Sequence, residues 1–261
     1  MKLSIHADRA ALGRKVAADA AEAIRSAVRD RGQITVVVAT GSSQFEVLAE
    51  LAADPAIPWQ RVTLFHLDEY VGLSPDHPAS FRRYLRERFV ERLPVRPAAF
   101  HELDGEAEPQ AECRRLAALV PGGVFDVALV GIGENGHLAF NDPPADFDTT
   151  APYIVVTLDE PCRRQQVGEG WFATLADVPT HAISMSVQRI LSSRTIFCSV
   201  PDRRKAEAVR AAFEGPVTPQ VPASILQRHP DCRLHVDREA ASLLQSSRDQ
   251  SSREPAAASR A

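Results

Sequence analysis

Apolar residues recur along the chain with two periods, and the changes between them mark out the elements. From Asp8 to Asp30, Leu12, Val16, Ala20, Ile24 and Val28 repeat every four residues, which stacks them on one face of an amphipathic helix. Gly32 supplies its stop. Ile34 to Ala39 is a largely β-branched run, as expected of a strand covered on both faces. Thr40–Ser43 then opens a helix that reaches about Ala53. Val62–Leu67 is a second strand, ending at Asp68-Glu69-Tyr70. Helices are expected over Pro78–Arg92, with proline in the first turn, and over Glu106–Leu119. Further strands fall at Phe125–Val130, Tyr153–Thr157, His181–Met185, Thr195–Val200 and Arg233–Val236, with a helix over Arg203–Phe213.

Strands alternating with helices imply parallel pairing through right-handed crossovers. The expected fold is therefore α/β: a doubly wound, mostly parallel, Rossmann-like sheet with helices on both faces. No internal repeat is visible. Periodicity ends near Gln245. Residues 1–245 are expected to form a single α/β domain, and residues 246–261, rich in Ser, Arg and Ala, a disordered tail.

Composition narrows the function. A hydrophobic content of 44% over 261 residues is ordinary for a globular domain. The net charge of −4 offers no electrostatic case for nucleic acid or an anionic membrane. No apolar stretch reaches the roughly 18 residues of a membrane helix, and the N-terminus lacks a signal-peptide core. Cys113, Cys162, Cys198 and Cys232 form no CxxC pair, which argues against a zinc site or redox motif and for reduced thiols in the cytoplasm. Basic charge is almost wholly arginine. Lys2, Lys15 and Lys205 are the only lysines, and Lys205 alone lies beyond the N-terminal region.

The segment Gly131-Ile-Gly-Glu-Asn-Gly-His-Leu-Ala-Phe-Asn-Asp142 carries the strongest chemical signal. It follows a strand, and the carboxyl ends of strands in α/β sheets are where ligands bind. Three glycines in six residues permit a sharp turn and close backbone approach, and His137 can move protons near neutral pH. The glycine spacing is not a dinucleotide fingerprint. Thr40-Gly41-Ser42-Ser43 offers backbone N–H groups and two hydroxyls at a helix start, either for a phosphate or simply as a serine cap. Asp68 and Glu69 follow an apolar strand directly. A carboxylate desolvated there becomes a better base, while at least one of the pair is expected to be a cap or a surface acid. Lys205 stands at a helix start, where a cation opposes the dipole. It is either a counter-ion for an anionic ligand or a solvated member of an Arg-Arg-Lys run. Parallel topology brings the strand-end loops to one edge.

Together, Ala39-Thr-Gly-Ser-Ser43, Leu67-Asp-Glu-Tyr-Val-Gly-Leu73 with His77-Pro-Ala-Ser80, and Gly131–Asn141 resemble the glucosamine-6-phosphate deaminase (isomerase) family over roughly residues 30–240. The related 6-phosphogluconolactonases share the Gly-His element, but Tyr70 and Leu138-Ala-Phe-Asn141 place this chain on the deaminase side. The resemblance implies conversion of a hexosamine 6-phosphate, glucosamine 6-phosphate, and water to fructose 6-phosphate and ammonia, with no metal or organic cofactor. It assigns Asp68 as the base at C2, His137 to ring opening, and Asn135 and Asp142 to the catalytic group around that histidine. Thr40, Gly41, Ser42, Ser43, Gly136 and Lys205 are assigned to substrate and phosphate. Members range from monomers to hexamers, and no heptad pattern selects a homo-oligomer here.

Three departures stand out. Asp142 replaces the usual glutamate and is one methylene shorter. A lid segment normally carries an arginine before a Phe-Phe pair, where this chain has Gly170-Trp171-Phe172. Arg163 or Arg164 is the candidate substitute, Arg164 being taken as the phosphate ligand. The stretch Pro143–Pro152 lacks the Ser/Arg/Lys pattern of an allosteric site. The competing readings are a lactonase and a sugar-phosphate-binding regulator without turnover.

Overall fold

The Asp8 side chain accepts a hydrogen bond from the Ala11 N–H at 2.7 Å, and Gly32 closes the far end with φ of +79°. Between these caps the first periodic stretch forms α1 (Arg9–Arg31), which buries Leu12, Val16, Ala20 and Ile24. The computed structural model describes residues 1–120 and 124–245, so the tail expected at 246–261 lies outside the described residues.

Seven strands form one sheet, all pairs parallel: β1 (Lys2–His6), β2 (Ile34–Val38), β3 (Val62–His66), β5 (Ala99–His101), β6 (Val127–Val130), β9 (Thr195–Val200) and β10 (Cys232–Asp237), in the order β1-β10-β9-β6-β2-β3-β5. Alternate residues of the central strands feed two cores. Val36 and Val38 face α1, α2 (Phe45–Ala53) and α3 (Phe81–Arg88). Val37 faces the side of α4 (Pro109–Leu119), α6 (Val187–Leu191) and α7 (Ala206–Glu214). The doubly wound, mostly parallel sheet with helices on both faces is thus observed.

Two expectations need correction. Tyr153–Thr157 and His181–Met185 are strands, β7 and β8, but they leave the large sheet. With β4 (Asp68–Tyr70), which reads as a mere strand end in the sequence, they form a second, antiparallel sheet in the order β4-β8-β7. β7 is only partly covered, from buried Tyr153 to exposed Thr157, unlike the continuously buried β6. The helix expected over Pro78–Arg92 shortens to α3, because Ser80 caps it by accepting from the Arg83 N–H; residues 90–92 form a separate 3₁₀ turn. Beyond the expected elements, the structure adds α5 (Glu160–Gly168) and the short β1, β5 and α6, the last three with too few residues to show a period.

Candidate active site

β2 ends beneath a cleft with about 630 Å³ of empty space, part of it open to solvent. Gly41 turns the chain with φ of +94°, a conformation that disfavours side chains, and residues 42–44 make a 3₁₀ turn into α2. Thr40, Gly41, Ser42 and Ser43 all line the cleft. Neighbours pin this loop. Arg9 donates to the Ser42 carbonyl and pairs with Glu46 at 2.8 Å, and the Tyr84 hydroxyl donates to the Gly41 carbonyl at 3.0 Å. Gln44 is fully buried. Its amide nitrogen donates to the Ser43 and Ser199 hydroxyls at 3.1 and 3.0 Å.

The two acids after β3 have separate fates because successive strand residues point to opposite faces. Glu69 points away from the cleft and is completely buried. It accepts from the N–H groups of Tyr70, Phe81 and Arg82 and from the Ser80 hydroxyl, so it is clamped on the start of α3. Burial pushes its pKa up, and these donors oppose the shift. Asp68 is 6% exposed and lines the cleft. Among the described residues no donor reaches its carboxylate. Burial, reinforced by the nearby Glu69 charge, raises its pKa well above the ordinary carboxylate range.

The glycine-rich loop after β6 holds His137 against the cleft wall. A methyl group on Gly133 would stand 2.2 Å from the imidazole ring, so the ring packs on bare backbone. His137 Nδ1 lies 3.1 Å from Asp142 Oδ1, which leaves Nε2 for the cleft. The shorter acid therefore reaches the histidine. Asn135 braces the pair: its Oδ1 accepts from the His137 N–H at 3.0 Å, and its Nδ2 donates to Asp142 at 3.1 Å and to Asp159 at 3.3 Å. The Asp159 N–H donates to the other oxygen of Asp142. Burial opposes ionisation of Asp142, but His137 and these donors outweigh it and hold the pKa below the usual value. Ala139 adopts φ of +53°, a strained backbone at the cleft surface, and the turn around it is fixed to β8 by bonds from Phe140 and Asn141 to Ser184. Ligating atoms of His137, Asp142 and Cys162 lie within 4.8 Å of one another. Burial pushes the Cys162 thiol far up its range, which disfavours the thiolate a metal would need.

Lys205, 5% exposed, is the sole cation among the residues lining the cleft. Burial lowers its pKa, opposed by Glu169 at 3.6 Å and Glu134 at 3.9 Å. α5 forms part of the lid and sends Gln165, Gln166 and the following Glu169 and Trp171 into the cleft. Its arginines go elsewhere. Arg163 donates to the Leu175 and Val178 carbonyls, and Arg164 pairs with Glu160 on the exposed side. Arg164, expected at the phosphate, does not line the cleft: helical geometry turns it away when Gln165 and Gln166 face inward. Gly136, also expected at substrate, does not line the cleft either; it takes φ of +85° and packs on Val221. Sequence reasoning missed Gln44, Asp159, Gln165, Glu169 and Trp171. Only Asp159 left a local signal, an aspartate just before the Glu-Pro helix start.

A doubly wound α/β fold whose cleft gathers one buried carboxylate, one histidine–carboxylate pair and one buried cation defines the class. The family model described as glucosamine-6-phosphate isomerases/6-phosphogluconolactonase matches residues 7–234, and the chain belongs to this family. It is 42% identical over 217 residues to the glucosamine-6-phosphate deaminase of Exiguobacterium sibiricum, covering 83% of this chain and 84% of that protein. It is 37% identical over 229 residues to glucosamine-6-phosphate deaminase 1 of Bacillus subtilis, covering 86% and 93%. The solved structure of a monomeric glucosamine-6-phosphate deaminase superposes with a TM-score of 0.85 at 35% identity, covering 93% of this chain and all of that one. The 6-phosphogluconolactonase of Thermotoga maritima superposes at 0.73 with 16% identity, covering 90% of this chain and 99% of that one, which is a likeness of fold alone.

Proposed function

We propose that this protein is an enzyme that converts glucosamine 6-phosphate and water to fructose 6-phosphate and ammonia. The observation that carries this reading is Asp68: a buried carboxylate without a donor among the described residues, in the same cleft as the His137–Asp142 pair and Lys205. The 6-phosphate is held by Thr40–Ser43 and Lys205, and this remote contact orients the reacting carbons. His137, oriented by Asp142 and Asn135, moves a proton from O1 to the ring oxygen and opens the hemiacetal. Asp68 removes the proton from C2 and returns it to C1, leaving a C2 imine that water hydrolyses to ketone and ammonia. A carboxylate shielded from water keeps the proton between the two steps. Lactone hydrolysis calls for a base at the attacking water and carries no proton between carbons; it is Tyr70 and Leu138-Ala-Phe-Asn141 that favour the isomerising reading over the lactonase.

Residues 1–245 act as a single catalytic domain in this reading. Among the described residues no helix is long and apolar enough to cross a membrane. Four free, buried cysteines and a phosphorylated substrate are consistent with the cytoplasm. The test is ammonia release from a panel of hexosamine 6-phosphates. Glucosamine 6-phosphate is expected to be the best substrate, with Asp68→Asn reducing kcat by roughly 10³-fold or more. Turnover unchanged in that variant would sink the reading, as would lactonase activity alone.

A further inference from the structure

Lys205 already has an anion beside it. Glu169 is the residue that follows α5, and its side chain is 7% exposed inside the cleft. Its carboxylate is aimed rather than loose. Oε1 accepts from Gln165 Nε2 at 2.7 Å and lies 3.6 Å from Lys205 Nζ, while Oε2 accepts from the Trp171 indole N–H at 3.2 Å. Gln165 is itself tied to the catalytic loop, its Oε1 accepting from the Glu134 N–H at 2.9 Å. The charge of the one cleft cation is thereby already answered, and a phosphate arriving at Lys205 would meet a fixed carboxylate. Glycines flank this group. Neither Gly168 nor Gly170 has a heavy atom within 4 Å of where a side chain would begin, and Gly170 takes φ of +82°. The backbone here is held to α5 by bonds from the N–H groups of Glu169, Gly170 and Trp171 at 2.8, 2.9 and 3.0 Å, so Glu169 is re-aimed by rotation of its side chain, into space the two glycines leave open.

We propose that Glu169 is a built-in competing anion, seated against Lys205 in the ligand-free protein and displaced by the phosphate of an incoming ligand, so that it sets the affinity for phosphorylated ligands. This rests on reading Lys205 as the phosphate cation. The seated carboxylate keeps the buried ammonium paired until a ligand takes over, and the cost of displacing it raises the concentration of ligand required. Trp171 reports the exchange, because its indole N–H loses its partner when Glu169 leaves.

The experiment titrates wild type, Glu169→Gln, Glu169→Ala and Lys205→Ala with inorganic phosphate. Binding is followed by calorimetry and by indole fluorescence, with Trp171→Phe removing the contribution of the cleft tryptophan and leaving Trp59. Both Glu169 variants are expected to bind phosphate about tenfold more tightly than wild type, a change of about 1.4 kcal/mol. KM for glucosamine 6-phosphate should fall in parallel with kcat held within about twofold, the signature of a change in uniform binding. Lys205→Ala in the Glu169→Gln background should abolish the gain. Phosphate binding no tighter in both Glu169 variants overturns the proposal, as does calorimetric binding without a Trp171 response, or no phosphate binding by any variant. The phosphate arm needs no turnover. Absence of ammonia release would therefore overturn the reaction and leave this inference decided by the titration.

Discussion

Asp68 is a buried carboxylate to which no donor among the described residues reaches, and this has a consequence for stability as well as for catalysis. Its folded-state pKa is raised, so between the unfolded value near 4 and the folded value the native chain binds more protons than the unfolded one. Stability contributed by this group is therefore full at low pH and declines as pH rises through that window. Asp68→Asn removes the charge and keeps the shape. It should raise Tm by a few degrees at pH 8, where an uncompensated buried group costs about 1–3 kcal/mol, and by less at pH 5. Thermal melts of both proteins at the two pH values check this; a lower Tm at pH 8 would contradict the burial argument. The type and place of Asp68 are legible in the sequence, a carboxylate directly after an apolar run. Its lack of donors among the described residues is not, because that depends on what segments distant in sequence put around it. Asp142 makes the complementary point. One methylene fewer than glutamate does not decide reach, since the loop backbone brings the carboxylate to 3.1 Å from His137.

At the scale of elements, the site depends on two close fits. Gly133 lets the loop after β6 pass directly beneath the imidazole. Gly133→Ala would place a methyl group 2.2 Å from the ring and force His137 aside. A displacement near 1 Å is expected to reduce kcat by roughly 10²-fold, with overall fold retained by circular dichroism; wild-type kcat would refute it. Ser80 joins β4 to α3, capping the helix and donating to the buried Glu69 at 2.8 Å. Ser80→Ala removes both bonds and should destabilise by about 1–3 kcal/mol. Chemical denaturation would read this as a lower midpoint with an unchanged slope. The glycine-rich loop was conspicuous before folding because φ-permissive residues in a cluster are a local demand. Ser80 lies within the quoted motif, yet its double duty is visible only once β4 and α3 meet. The lid shows the opposite failure. A helix has one face toward the cleft, and the sequence of α5 does not state which. Of the arginines that looked available, Arg164 points out and Arg163 is bound to the Leu175 and Val178 carbonyls, while Gln165, Gln166 and Glu169 point in.

For the whole molecule, two buried histidines set the acid limit. His66 is held down to about 3 by burial, and its Nε2 accepts from the Leu103 N–H at 2.8 Å. His235 is held down to about 4, by burial and then by its stacked neighbour His6, whose ring centroid is 5.3 Å away. Both are neutral in the native state and titrate near 6.5 when unfolded. The unfolded chain therefore binds more protons below that value, so the stability they contribute is complete above about pH 7 and is lost as pH falls toward 4. Each costs at most about 1.4 kcal/mol per pH unit. Urea midpoints at pH 7, 6 and 5 should fall steadily, and His235→Gln should flatten the dependence; an unchanged slope in that variant would refute its share.

Period and punctuation along the chain were enough for the doubly wound layout, because a buried parallel strand must be continuously apolar and an amphipathic helix must repeat near every fourth residue. The glycine, serine and acidic clusters at strand ends were likewise written locally, since backbone turns and polar caps are demands of neighbouring residues. Tertiary structure alone decided that β4, β7 and β8 form a separate antiparallel sheet, that Asp68 finds no donor among the described residues while Glu69 is surrounded by them, and that Glu169 rather than an arginine faces Lys205. Each of these is a choice of face or partner between segments distant in sequence, and burial is a property of the assembled surface that no single stretch of chain contains.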